Sequence, residues 1–177
     1  VVARTLAAQT NLVRQLQERT VKREYWAFTL GSAAPDFVVE TPIGRDPRSR
    51  TRFKCFPGST GVRAKPARTR ARCVGWSSIE GLPVSWVACR LDTGRTHQIR
   101  VHMSWQGHPL FNDERYGGDR ILKGTTFSKY RQFVENCFAV LSRHALHARS
   151  LGFVHPTTRE TVYFESELPD DFRTLLE

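Results

Sequence analysis

The chain has 177 residues, of which 40% are hydrophobic and 25% are charged, values typical of one globular domain with a hydrophobic core. No apolar run approaches the length of a membrane-spanning helix, so the pattern excludes a helical membrane span. Lys and Arg number 27 against 17 Asp and Glu, which gives a net charge of +10. This excess predicts a polyanionic partner, nucleic acid first. A basic surface that only maintains solubility, or a neighbour that only docks on the ribosome, are the alternatives.

Hydrophobic periodicity and turn residues predict nine elements. In chain order they are a helix over residues 6–19, strands over 22–31, 67–76 and 84–91, helices over 96–105 and 129–138, strands over 144–155 and 161–165, and a helix in the final segment LPDDFRTLLE. Leu6, Leu12, Val13 and Leu16 share one face of the first helix. Gly107 stands where a C-terminal cap would end the helix over 96–105. Because strands predominate and follow one another, the sequence predicts an α+β domain on a largely antiparallel sheet with a few flanking helices.

Residues 44–72, GRDPRSRTRFKCFPGSTGVRAKPARTRAR, form a strongly basic segment with ten Lys or Arg and one acid, Asp46. Proline and glycine punctuate it, which predicts loops and short strands. Such a segment binds phosphates without reading sequence. A solvated loop without a ligand is the alternative.

The central segment, LDTGRTHQIRVHMSWQGHPLFNDERYGG, spans residues 91–118 and combines a turn with a helix. Arg95 and Arg100 are five residues apart, as are His97 and His102. On a helix this spacing turns the two side chains in different directions, so the sequence predicts no metal site here. An arginine at a strand-to-helix turn can instead bind a carboxylate or phosphate with both arms of its guanidinium. A structural arginine that caps a loop is the alternative.

Tyr25 lies in the predicted strand over residues 22–31, whose side chains alternate between two faces. Tyr25 and Ala27 share one face, while Trp26 and Phe28 share the other. A core tyrosine and an aromatic ring that stacks on a flipped RNA base both fit this position.

Other polar residues have simpler interpretations. His144 and His147 would lie on opposite faces of a strand, as core histidines. Asp113, which follows Asn112, fits a turn, and so does Asp92 beside Gly94 at the end of a strand.

The four cysteines, Cys55, Cys73, Cys89 and Cys137, contain no C-x-x-C pair. We therefore expect thiols in a reducing compartment, either the cytoplasm or the matrix of a mitochondrion or plastid. The chain opens with VVARTLAAQT and no Met, so we expect the natural N-terminus to lie upstream. Nothing in the sequence indicates an obligate oligomer, and a monomer is the default expectation.

Several segments resemble the RluA-type pseudouridine synthase family, in the family's order and over nearly the whole chain. The segment over residues 91–118 is similar to the family's central motif along its whole length. VKREYWAFTLG resembles its tyrosine-bearing strand, TPIGRDP its basic loop, and KPARTRARCVG the strand that follows. SRHALHARSLGFVHPTTRE and ELPDDF resemble its C-terminal signature.

The resemblance implies the pseudouridine synthase fold in a single catalytic domain over residues 1–177. It also implies an isomerase without cofactor or metal that converts uridine to pseudouridine in structured RNA, above all large-subunit ribosomal RNA or a pre-ribosome. By position, Tyr25 and Arg100 match the family's catalytic tyrosine and arginine. Matched residues expected to contact the uracil or RNA are Ile99, Leu146, Arg95, His97, Gln98, Arg45 and Arg48.

The family's catalytic aspartate lies in a His-Arg-Leu-Asp motif, which we expect upstream of Val1. Asp92 belongs to the central motif and is not that residue. Arg100 matches the arginine that pairs with the catalytic aspartate, so in this chain it should lack a partner. Asn112 stands where the family commonly has glycine, which makes Asp113 a weak candidate for any role.

Two further functions fit the composition. A non-catalytic RNA-binding factor for ribosome assembly could retain the same fold, and it would bind RNA in a salt-dependent way without changing uridine. A DNA-binding module would share the charge, but the sequence contains no recognisable reading helix.

Overall fold

The computed structural model describes residues 1–58, 64–79, 82–120 and 128–174. The helices are α1 (Leu6–Gln17), α2 (Gln98–Trp105), α3 (Ser128–Val140) and α4 (Asp170–Thr174). The strands are β1 (Lys22–Leu30), β2 (Asp36–Glu40), β3 (Ile43–Arg45), β4 (Phe53–Cys55), β5 (Ala64–Lys65), β6 (Arg68–Ile79), β7 (Leu82–Leu91), β8 (Leu146–Val154) and β9 (Thr161–Glu165).

Six strands form one sheet in the order β2-β6-β7-β1-β8-β9, and β4-β3-β5 form a smaller one. All pairings among the described strands are antiparallel. This architecture confirms the α+β class. In the described ranges, no helix is both long and apolar enough to cross a membrane.

Side chains of β1 alternate between the two faces of the large sheet, and each face has its own hydrophobic core. On the first face, Ala27 packs in a cluster with Ile99 and Met103 of α2, and Tyr25 borders it. On the second face, Phe28 packs in a cluster with Phe172 of α4. Both sides of the central strand are therefore covered, and the predicted division of side chains in β1 is confirmed.

Helix α1 packs through a different face from the predicted one. Thr5 caps its N-terminus through a hydrogen bond from the Ala8 amide to Oγ1, 3.2 Å long. Leu12 is buried in a small core with Val21 and Phe153, whereas Leu6 is 78% exposed. The hydrophobic pattern alone was misleading because a polar residue, Gln15, shares the buried face.

Both ends of α2 depend on left-handed backbone. His97 precedes the helix with φ 57°, and Gly107 follows it with φ 83°. The His108 amide donates to the Met103 carbonyl at 2.9 Å and the Gly107 amide to the Ser104 carbonyl at 3.1 Å, which closes the helix as predicted.

Several parts of the fold differ from the predicted elements. The sequence predicted no strand at β2, whose residues pair with residues of β6 that lie 28 to 36 positions further along the chain. His144 precedes β8 and is half-buried, so it is neither a strand residue nor a core histidine. Residues 59–63 of the predicted basic segment and residues 175–177 of the last predicted helix lie outside the described residues.

Candidate active site

Tyr25 lies at the core on the first face of the sheet, together with two residues expected to contact the uracil, Ile99 and Leu146. Tyr25 and Leu146 are half-buried and pack against the cluster that contains Ile99, which is 4% exposed. The strand register explains this proximity, because Tyr25 lies opposite Ala148 and Ala27 opposite Leu146 on β8. An aromatic ring and two aliphatic side chains thus belong to or pack against one cluster, which includes residues of the helix that carries Arg100.

Arg100 makes a buried, two-armed ion pair with Asp113. Its Nε donates to Oδ2 at 2.7 Å and its Nη2 donates to Oδ1 at 2.8 Å. The Arg100 side chain is 13% exposed and that of Asp113 is fully buried. The fork geometry fixes the guanidinium plane and leaves Nη1 free of Asp113.

This pair corrects two expectations. Arg100 does not lack a partner, and Asp113 is not a weak candidate for a role. Position 112, where the family commonly has glycine, has a left-handed backbone with a φ of 55°. Asparagine adopts this region more readily than most residues, so Asn112 can replace glycine in the turn. The side-chain amide of Asn112 donates to the Leu141 carbonyl at 2.7 Å, and this bond connects the turn to the end of α3.

Tyr116 connects Arg100 to the basic β3–β4 hairpin, here called the basic arm (residues 43–55). The Arg100 guanidinium lies 4.9 Å from the centre of the Tyr116 ring. The Tyr116 hydroxyl accepts the Phe53 amide at 3.2 Å and lies 2.8 Å from Nδ1 of His97. One aromatic residue therefore contacts the arm, the turn before α2 and the buried ion pair.

Burial sets the ionisation of this network. It lowers the pKa of His97, and the nearby Arg100 and Arg115 lower it further. Burial also raises the pKa of the Tyr116 hydroxyl. Both groups are therefore neutral near neutral pH, and the tautomer of His97 decides which of the two donates across their 2.8 Å contact.

A cavity of ≈ 330 Å³ opens beside the ion pair, and its lining includes Arg100, Arg115, Arg143 and His144. Arg143 is held by Asp171 at 3.0 Å. Burial and the charge of Arg100 lower the pKa of His144. The lining also contains two acids, the buried Asp113, which Arg100 engages, and the exposed Glu114, so most of the positive charge in this cavity is balanced.

Gln98 braces the turn before α2. Its Oε1 accepts the Thr93 hydroxyl at 2.7 Å and the Arg95 amide at 3.0 Å, and its Nε2 donates to the Arg68 carbonyl at 2.9 Å. Because both ends of this 3% exposed amide are engaged within the protein, the expected RNA contact by Gln98 has no structural support. Arg95 Nε donates to the Pro66 carbonyl at 2.9 Å, on the surface of the same turn.

The predicted RNA-binding residues Arg45 and Arg48 lie on the basic arm, apart from Tyr25. Arg45 lies over the Phe53 ring at 5.1 Å and donates to the Arg50 carbonyl, while Arg48 is exposed. The arm reaches the site through Phe53 and Tyr116.

Asp92 is engaged in ion pairs on the sheet, as expected of a structural residue. It lies 3.2 Å from Arg68 and 3.0 Å from Arg70. The residues that the sequence interpretation missed are Asp113 and Tyr116, which hold Arg100. The signal was present in DERYGG, where an acid and an aromatic three residues apart follow the arginine helix, but spacing alone could not show their burial.

Comparisons with known proteins identify the family of the chain. Residues 1–105 match the sequence model of a family described as RNA pseudouridylate synthase. The chain is 45% identical to ribosomal large subunit pseudouridine synthase D of Neisseria meningitidis serogroup B, over 99% of this chain and 43% of the relative. It is 36% identical to RNA pseudouridine synthase 2, chloroplastic, of Oryza sativa subsp. japonica, over 99% of this chain and 40% of that protein. The chain thus spans less than half the length of these relatives.

Solved structures show the same fold. Human RNA Pseudouridylate Synthase Domain Containing 1 superimposes with a TM-score of 0.68 at 31% identity, over 95% of this chain and 63% of that one. Human RNA Pseudouridylate Synthase Domain Containing 4 gives a TM-score of 0.67 at 21% identity, over 97% of this chain and 67% of that one, which supports the fold alone. With the family match covering residues 1–105, including the tyrosine strand and the arginine helix, the chain belongs to the RNA pseudouridylate synthase family.

Proposed function

We propose that the protein containing this chain isomerises uridine to pseudouridine in RNA, and that its substrate is large-subunit ribosomal RNA. In this reaction the bond between N1 of the uracil and C1′ of the ribose breaks, a bond from C5 to C1′ forms, C5 loses its proton to solvent, and N1 takes up a proton. The observation that carries the proposal is the convergence of Tyr25, Ile99 and Leu146 beside the Arg100 helix. A ring and two aliphatic walls suit a planar base that has left its stack.

The charge of the chain supports an RNA substrate. The basic arm carries five Lys or Arg and one acid between residues 43 and 55, and the net charge of the whole chain is +10. Phosphate contacts of this kind fix the orientation of a nucleic acid and carry no sequence information directly. The names of the bacterial relatives support the ribosomal large subunit as the source of that RNA.

We also propose a reducing compartment, either the cytoplasm or an organellar matrix. All four cysteines are free, and Cys55, Cys73 and Cys89 are buried. Burial raises the pKa of the Cys55 and Cys89 thiols to about 12, which keeps them protonated and unreactive.

The first experiment maps pseudouridine in total ribosomal RNA from cells with and without the gene. Loss of pseudouridine at one or a few positions supports the proposal and identifies the uridines that the protein modifies. An unchanged map together with a ribosome-assembly defect would contradict it and favour a non-catalytic factor.

The second experiment uses the full-length protein and RNA labelled with tritium at uracil C5. We expect Tyr25→Phe and Arg100→Ala to abolish tritium release while largely sparing RNA affinity. Tyr163→Phe and Arg131→Ala are matched controls, because both residues are exposed and lie on β9 and α3. Normal turnover by Arg100→Ala would show that the assigned role is wrong.

A further inference from the structure

A second basic cleft lies on the side of the molecule where α1 meets the turn before α2. It has a volume of ≈ 410 Å³, and three arginines line it: Arg19, Arg23 and Arg95. The acid in its lining, Asp92, is engaged by Arg68 and Arg70. The cleft therefore presents positive charge that its own carboxylate does not neutralise.

Arg23 is half-buried at the wall of this cleft and has no partner among the described residues. Its Nε is buried and makes no hydrogen bond, and it forms no ion pair with any acid in the described ranges. The adjacent acid, Glu24, binds Arg90 at 2.8 Å instead. A buried guanidinium N–H without an acceptor is unfavourable, and no acid in the described ranges compensates the charge of this head group. The head group lines the cleft, so an anionic ligand there would compensate it.

The turn before α2 is shaped to admit this guanidinium. A Cβ atom at Gly94 would lie 2.8 Å from Nη1 of Arg23, closer than such atoms normally approach. The absence of a side chain at Gly94 therefore leaves room for the Arg23 head group at the wall of the cleft.

The position of Arg23 relative to Tyr25 indicates which ligand would reach it. The two residues are separated by one position on β1, so they project from the same face, roughly 6.6 Å apart along the strand. Both also line a neighbouring cleft of ≈ 310 Å³. A base that lies on Tyr25 would bring its own sugar-phosphate backbone within reach of Arg23.

We propose that Arg23, supported by Arg19 and Arg95, binds a backbone phosphate of the RNA strand next to the nucleotide whose base contacts Tyr25. The inference rests on the proposed function, because it uses Tyr25 as the site of the target base. Guanidinium groups bind the oxygens of a phosphodiester through two parallel hydrogen bonds, which a point charge does not reproduce. The site would thus hold the flipped nucleotide at both its base and its phosphate.

The test is a coupling measurement with the full-length protein and a series of RNAs. In each RNA one phosphate near the target uridine is replaced by an uncharged methylphosphonate. For the wild-type protein, we expect one replacement to weaken binding about tenfold, the effect of one charge-assisted hydrogen bond. Arg23→Gln should bind the unmodified RNA about tenfold more weakly and should lose nothing further with that same replacement.

Two variants control for charge and position. Arg131→Gln removes an exposed cation on α3 and should retain the full effect of the methylphosphonate. Gly94→Ala retains every charge but displaces the Arg23 head group. It should therefore reduce the loss of affinity that the one critical methylphosphonate causes. If Arg23→Gln and the replacements act additively at all phosphates, the inference is wrong.

Tritium release in the same samples separates this inference from the proposed function. A wild-type protein that binds the RNA but releases no tritium contradicts the isomerase, whereas the coupling measurement still decides the phosphate site. Normal tritium release without coupling contradicts only the phosphate site.

Discussion

At the scale of single residues, the ion pair between Arg100 and Asp113 organises the candidate site. The arginine was identified from the sequence, but its partner was not. The two residues are thirteen positions apart, on a helix and in a turn, and only the fold brings the fork and the carboxylate together at 2.7 and 2.8 Å. A buried charge of this kind is stable only with its partner, so each residue constrains the other.

The first residue-scale prediction concerns Asp113→Asn. Loss of the carboxylate leaves the Arg100 charge buried without compensation, and we expect the free energy of unfolding to fall by about 3–5 kcal/mol. The freed guanidinium should also rotate, so kcat should fall more than RNA affinity. Urea unfolding and single-turnover assays measure the two effects. Asp119→Asn, an exposed acid nearby, should change neither, and unaltered turnover in Asp113→Asn would show that Asp113 does not position Arg100.

The second residue-scale prediction concerns Asn112, whose backbone is left-handed. Asn112→Ala should lower the free energy of unfolding by about 1–3 kcal/mol, because alanine tolerates this backbone poorly and cannot bond the Leu141 carbonyl. Asn112→Gly should lose less, because glycine adopts the same φ without strain. Equal stability of the alanine and glycine variants would rule out the backbone explanation.

At the scale of elements, the sequence predicted what local periodicity encodes. The bounds of β9 were predicted as observed, and β1 and β8 were predicted to within two residues, because alternation and turn residues mark them directly. β2 was missed because DFVVE is short. Its strand conformation depends on pairing with β6 and is not marked by its own sequence pattern. The candidate site shows the same limit: Tyr25 and Arg100 lie in distinctive motifs, whereas burial alone distinguishes Asp113 and Tyr116.

The element-scale prediction concerns the attachment of α1 to the sheet. Gln15 is 6% exposed, and its amide completes the end of β8: Nε2 donates to the Val154 carbonyl at 2.7 Å, and Oε1 accepts the Val154 amide at 2.9 Å. Gln15→Ala should lower the free energy of unfolding by about 1–3 kcal/mol, because it leaves those two groups without partners. Hydrogen exchange should show faster exchange at the Val154 amide. Gln9→Ala, on the exposed side of α1, should leave that rate unchanged. Unchanged protection in Gln15→Ala would show that the attachment of α1 to β8 does not depend on the Gln15 amide.

At the scale of the whole molecule, the surroundings of the arginines and histidines determine whether their charges are paired, open to a ligand or absent. Acids on the sheet pair with sheet arginines, as Glu24 does with Arg90 and Asp92 with Arg70, whereas Arg19, Arg23 and Arg95 line a cleft of their own. The histidines in the interior are held neutral. His102 is fully buried, with Nδ1 2.8 Å from the Thr69 hydroxyl and Nε2 3.1 Å from the Thr41 carbonyl.

The whole-molecule prediction is that stability falls on acidification, beginning near pH 6.5. Burial holds the pKa of His102 below its ordinary value of 6.5, despite the opposing bond to Thr41, and burial lowers the pKa of His97 and His144 in the same direction. Below pH 6.5 the unfolded chain therefore binds protons that the folded protein does not, and the free energy of unfolding must decrease as pH falls toward the folded pKa values. Above pH 6.5 this contribution is constant.

Urea unfolding between pH 8 and pH 5.5 measures how the free energy of unfolding changes with pH. The variant His102→Gln tests how much of that change comes from His102. The variant should be less stable at pH 8, because glutamine replaces only part of the bonding to Thr69 and Thr41, but its stability should decline less between pH 7 and pH 5.5. Glu24, whose pKa is lowered, does not account for the difference, since a carboxylate with a lowered pKa acts below its ordinary value of 4.5. Equal slopes in His102→Gln and the wild-type protein would show that burial of His102 does not control the acid sensitivity of the fold.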